Sequence, residues 1–127
     1  MKSLIATALI LAGSLASSLA HANSSCDQPR NDFDGLYCLN KVYLEADKDL
    51  NSVYKDLVGK LDTAGKSRLK SGQLSWIDER NSRCSRNDGG AFYVNLRCAT
   101  ETTISRVQFL QDRLRECKSS GCLPSKL

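Results

Sequence analysis

Six cysteines constrain this chain more than any other feature: Cys26, Cys38, Cys84, Cys98, Cys117 and Cys122. An even count in a short exported chain reads as a disulfide framework. The N-terminus points to export. Lys2 opens it, Leu4 to Leu11 is mostly apolar, and a small-residue run ends at Ala20-His21-Ala22. This is the pattern of a secretory signal peptide over residues 1–22, cleaved after Ala22. The apolar part is too short and too rich in Ser and Gly to span a bilayer. No Cys follows Ala22 directly, which argues against a lipoprotein anchor. One domain over residues 23–127 is expected, periplasmic or secreted, with no stable membrane insertion once the signal is gone. A domain of that size has a modest core and benefits from cross-links.

Zinc is the competing use of cysteine, but structural zinc sites favour Cys-x-x-Cys pairs or histidines. The chain has no Cys-x-x-Cys pair, and its single histidine, His21, falls in the signal peptide. The same absence excludes Ser-His and Cys-His nucleophile pairs. No HExxH, GxSxG or phosphate-cradling Gly-rich loop occurs. The nearest paired carboxylates are Asp47-x-Asp49 and Asp78-Glu79. A glycan-cleaving site needs such a pair, but both sit among other helical charges, where solvated positions are the common case. No neighbouring group is evident to tune a pKa. The expectation is a non-enzymatic protein with no cofactor and no metal. Removing Lys2 from 18 basic residues leaves 17 against 14 acidic ones, a net charge of +3. That charge is spread along the sequence without a block of one sign, so no nucleic-acid footprint is present.

Periodicity predicts an all-α fold. Leu39, Tyr43, Ala46, Leu50, Val53, Tyr54, Leu57 and Leu61 recur at steps of three and four, marking a first helix from about Leu39. Residues 23–36, with Pro29 and Gly35, read as an irregular lead-in. A turn over Thr63–Lys66 precedes a second helix from about Lys66 to Arg83. Asn87-Asp88-Gly89-Gly90 breaks the chain. A third helix is predicted from about Phe92 to Cys117, with Thr102, Thr103, Arg106, Phe109, Leu110, Arg113, Leu114 and Cys117 on one broad face. Residues 119–127 form a tail. Three helices with short connections make a small antiparallel bundle.

Bundle geometry then narrows the fifteen possible disulfide pairings. Cys38, Cys84 and Cys98 fall at one end, with Cys26 near in sequence, while Cys117 and Cys122 fall at the other. The favoured pairs are Cys26–Cys38, Cys84–Cys98 and Cys117–Cys122. A Cys38–Cys84 link would refute this framework.

The second helix poses a question of its own. Leu69, Gln73, Trp76, Arg80 and Cys84 share one stripe, so two long polar side chains flank the only tryptophan on a face meant for the core. A buried charge persists only when it is paired and hydrogen-bonded. The structural reading is a polar network in which Arg80 and Arg106 bond to Asp47 or Asn51 and Gln73 bridges helices. The functional reading is an exposed patch around Trp76 that binds a partner, since Trp and Arg are favoured at interface hot spots. The network is the expected arrangement.

Four spacings occur in order: Cys26-x11-Cys38; Ala46-Asp47-x-x-Leu50-Asn51-x-x-Tyr54; Gln73-x-x-Trp76-x-x-x-Arg80-x-x-x-Cys84; and Cys98-x4-Thr103-x-x-Arg106-x3-Leu110. Together they resemble the LprI-like lysozyme-inhibitor domain family, small exported helical proteins of bacteria. The resemblance covers about Cys26 to Leu114. It implies a periplasmic or secreted helical domain with a protein partner, a lysozyme, and inhibition of that enzyme. The alternative is a disulfide-stabilised envelope adaptor or toxin-neutralising protein without lysozyme activity. Cys117, Cys122 and the tail look like additions to the family core.

The loop from Ser85 to Tyr93 is the second candidate site, with Arg86, Asn87 and Asp88 as possible partner-binding residues. A loop held between bridged cysteines is pre-ordered, which lowers the entropy cost of binding. Arg86 is suited to the acidic pair of a glycosidase cleft. Net charge offers no help, because a +3 chain gains no long-range steering toward a cationic lysozyme.

Overall fold

The computed structural model describes residues 24–127, so the signal peptide expected over residues 1–22 lies outside the described residues. Seven elements follow in order: α1 (Ser24–Asp27), α2 (Asp32–Val58), α3 (Thr63–Cys84), β1 (Ser85–Asp88), β2 (Ala91–Val94), α4 (Leu96–Ser120) and a 3-10 turn over Pro124–Lys126. The three long helices form an antiparallel bundle in which α2 and α4 make the main interface and α3 packs chiefly on α4.

Local capping chemistry sets the helix starts and moves three of them from where periodicity placed them. The side chain of Asn31 accepts a hydrogen bond from the Asp34 amide at 3.0 Å, so α2 begins at Asp32 rather than near Leu39. Asp32 and Asp34 in its first turn suit the positive end of the helix dipole. The residues expected to be an irregular lead-in are therefore largely helical. Asp62 accepts from Gly65 N at 2.7 Å and starts α3 at Thr63. A Cβ at Gly65 would lie 3.0 Å from Leu61 Cδ2, so glycine lets the cap and the preceding turn close together. Asn95 accepts from Cys98 N at 3.0 Å, which delays α4 to Leu96.

The core runs along the α2–α4 seam. Leu50, Val53, Leu57 and Leu61 meet Val107, Leu110 and Leu114, with Leu69 entering from α3. Leu57, Leu69 and Leu110 are fully buried, and each contributes about 1.5–3 kcal/mol through burial. Thr103, also fully buried, satisfies its hydroxyl on the Ala99 carbonyl at 2.8 Å. Of α3, only Gly65, Leu69 and Cys84 are buried. The remainder of its contact with α4 is made by longer, half-buried side chains.

Three disulfides brace this small core: Cys26–Cys38, Cys84–Cys98 and Cys117–Cys122. The first ties α1 to α2. The second joins the end of α3 to the start of α4, with 5.4 Å between Cα atoms. The third folds the tail back, placing the Cys122 sulfur 3.4 Å from the Lys60 carbonyl oxygen. Among the described residues, no helix is long and apolar enough to cross a membrane.

Candidate functional site

Residues 85–94 form a two-stranded antiparallel hairpin instead of the open loop that Asn87–Gly90 suggested. Its pairs are Ser85–Val94, Arg86–Tyr93, Asn87–Phe92 and Asp88–Ala91. The reversal falls on Gly89 and Gly90, with φ of 58° and 86°. Two consecutive positive φ values define the tight turn that matches the natural twist of a hairpin, and glycine adopts them without strain. Gly90 N donates to the Asn87 side chain at 3.2 Å and locks the turn. At the other end, Asn95 N donates to the Cys84 carbonyl at 2.8 Å, beside the Cys84–Cys98 bridge. The hairpin is thus fastened at both ends, and helices anchor its base.

All eight strand residues are exposed. Phe92 is 81% exposed and Val94 62%. Strand alternation puts Arg86, Asp88, Ala91 and Tyr93 on one face and Ser85, Asn87, Phe92 and Val94 on the other. The Arg86 guanidinium lies over the Tyr93 ring, 4.8 Å from its centroid. One face therefore carries a cation on an aromatic plate, and the other sets Phe92 and Val94 beside Asn87 and Ser85. Arg86, Asn87 and Asp88, singled out from the sequence, all lie here, but the exposed apolar surface belongs to Phe92, Tyr93 and Val94. A Gly-Gly pair followed by Ala-Phe-Tyr-Val is a hairpin signature that points to them.

A second exposed apolar surface lies at the same end of the bundle. The first buried residue of α2 is Ala46, so nearly four turns of the helix precede it. Phe33, Leu36, Tyr37 and Leu44 form a stripe there at helical spacing, and each is more than half exposed.

The stripe around Trp76 is organised differently from the expected network. Gln73 does bridge helices, since Arg106 Nε donates to Gln73 Oε1 at 2.9 Å. Asp47 and Asn51 do not reach either arginine, which corrects the expected pairing. The Asn51 amide bonds Asp47 on its own helix, to the carbonyl at 2.9 Å and to the carboxylate at 3.3 Å. The reason is geometric: α2 packs on α4 and hardly touches α3, and the two residues sit beside the core stripe rather than on it. Aromatic faces take the place of carboxylates. Arg80 lies 4.9 Å from the Trp76 centroid, Arg106 5.9 Å from Trp76 and 4.7 Å from Phe109, and Arg113 5.4 Å from Phe109. Guanidinium groups and rings alternate along the α3–α4 seam, each contact favoured by the ring quadrupole. Arg80 also donates to Asn81. Burial pushes the Arg106 pKa down from its ordinary value, yet a guanidinium stays charged. Its Nη2 is sealed from solvent without a hydrogen-bond partner.

Trp76, Phe109 and Arg106, with Glu79, Arg83, Glu101, Thr102 and Ser105, line a shallow groove of about 360 Å³. The candidate carboxylates are dispersed. Asp49, Asp78 and Glu79 are exposed, and Glu79 pairs with Arg83. Among the described residues, no group of three or more His, Cys, Asp or Glu could hold a metal ion.

Searches of curated proteins and of solved structures return no match. The family model described as "Lysozyme inhibitor LprI" matches residues 24–110, from α1 through the hairpin and well into α4. That span contains the Cys26–Cys38 and Cys84–Cys98 bridges, the Gln73–Arg106 link and the whole hairpin, so the chain belongs to the LprI lysozyme-inhibitor family.

Proposed function

We propose that this protein is an exported, non-enzymatic component of the bacterial cell envelope that inhibits a lysozyme-type muramidase, and that the hairpin occupies the enzyme's cleft. The observation that carries this reading is a pre-ordered hairpin with every strand residue exposed and Phe92 and Tyr93 near its tip. Aromatic anchors on rigid backbone bind at low entropy cost. Muramidase clefts are lined by catalytic carboxylates, and Arg86 presents a guanidinium suited to them. Family membership and three disulfides support the export and the class of partner. The α2 stripe of Phe33, Leu36 and Tyr37 enlarges the same end of the molecule, which favours a macromolecular partner over a small ligand.

The test is a titration of the oxidised protein into several muramidase types acting on cell walls. Saturable slowing of at least one type at near-stoichiometric ratio is expected. An absence of slowing for every type at large molar excess would instead favour an adaptor that uses the same surface on another envelope protein.

A further inference from the structure

A charge that is dispersed along the sequence is gathered in space. The ends of α2 and α4 and the start of α3 meet at the end of the bundle opposite the hairpin. Lys55, Lys60, Lys66, Arg68, Lys70 and Lys118 are all exposed there. Among the described residues, no hydrogen bond or ion pair ties any of the six to a carboxylate. The acidic residues at that end are mostly engaged: Asp112 with Arg115, Glu116 with Arg113 and Lys126, and Asp62 with the Gly65 amide. Lys55, Lys60 and Lys118 converge on one groove of about 440 Å³, which Asp56 and Leu114 also line.

Stability explains only part of this cluster. Lys55 and Lys118 lie in the last turns of α2 and α4, where cations suit the negative end of the helix dipole. Lys66, Arg68 and Lys70 lie in the first two turns of α3, against the positive end, and the first turn of α3 holds no acidic residue. The dipole therefore favours none of these three cations, and no carboxylate is bonded to any of them. Leu123 is the only large hydrophobic residue exposed at this end among the described residues, so nothing there is built for insertion.

We infer that this end is an electrostatic docking surface for a bilayer carrying anionic phospholipid, leaving the hairpin directed away from the membrane. The cations come from three helix termini and cover an end of the molecule. That spread suits a field of phosphates better than a single one. The inference stands apart from the inhibitor reading, because the two surfaces share no residue.

The experiment measures co-sedimentation of residues 23–127, the chain expected after signal cleavage, with vesicles of phosphatidylcholine alone or mixed with phosphatidylglycerol. Binding is expected only to the mixed vesicles, weakening as salt screens the charges. Each basic residue near such a surface is worth about a five-fold change in partitioning, so K66Q/R68Q/K70Q is expected to lose about 100-fold. Its thermal midpoint should match the parent's within a few degrees, since all three side chains are exposed. A K41Q/K48Q/R97Q variant at the hairpin end should bind as the parent does. The inference fails if the parent shows no preference for mixed vesicles, or if K66Q/R68Q/K70Q binds undiminished. It also fails if the hairpin-end variant loses as much. Displacement by inorganic phosphate beyond that by chloride at equal ionic strength would likewise overturn it, since it would assign the lysines to a single-phosphate site.

Discussion

Arg106 on α4 donates from Nε to Gln73 Oε1 on α3 at 2.9 Å, across 33 residues of sequence. This bond and the rings beside it hold α3, a helix with only three buried residues, against the α2–α4 core. Gln73→Ala should therefore cost about 1–3 kcal/mol in urea denaturation, because it removes the acceptor from a half-buried cation. Gln73→Glu should be at least as stable as the parent at neutral pH. The new carboxylate would have a depressed pKa beside Arg106. Its contribution is present above the pKa that glutamate has in the unfolded chain and disappears as pH falls through the depressed folded value.

Trp76 is half-buried against the core and in contact with two guanidinium groups. Trp76→Ala should destabilise the protein by about 3 kcal/mol and release α3 from α4. Hydrogen exchange should then rise along α3 before it rises in α2. Unchanged stability with loss of a partner would make the stripe a binding surface instead.

Two glycines on α3 should respond to alanine in opposite directions. At Gly72 the nearest atom to an added Cβ is the Leu127 carbonyl carbon at 3.7 Å, an ordinary contact. Gly72→Ala should gain up to about 1 kcal/mol through helix propensity. At Gly65 the added Cβ meets Leu61 Cδ2 at 3.0 Å and the capping Asp62 oxygen at 3.1 Å, so Gly65→Ala should lower the thermal midpoint.

Replacing Cys84 and Cys98 together by alanine should cost about 2–4 kcal/mol. The hairpin should suffer more than the bundle, because the bridge lies at its base. Amides of residues 85–94 should lose exchange protection under conditions where those of α2 and α4 keep theirs.

The helices were legible because their apolar residues recur at a single period, as Leu50, Val53, Leu57 and Leu61 do on α2. Helix starts were less so, because Asn31, Asp62 and Asn95 set them through single side-chain bonds that periodicity does not register. The hairpin escaped for a physical reason: neither of its faces is buried, so it lacks the apolar–polar alternation that marks a strand packed on a core. Only the Gly89-Gly90 turn and the aromatic residues after it carry the signal. Arg80 and Arg106 require partners, and Asp47 and Asn51 on α2 are the polar groups that the sequence offers. The structure supplies the rings of Trp76 and Phe109 instead, because α3 faces α4. The gathering of Lys55, Lys66 and Lys118 is invisible along the sequence, where acidic residues separate them.

The hairpin's role is tested most directly by comparing muramidase inhibition by the parent and by a Phe92→Ser/Tyr93→Ser variant. Both residues are exposed and outside the core, so the thermal midpoint of the variant should match the parent within a few degrees. Two hot-spot aromatics together account for a loss of about 100-fold or more in inhibition. Inhibition by the variant equal to that of the parent would contradict the account and move the binding surface away from the hairpin.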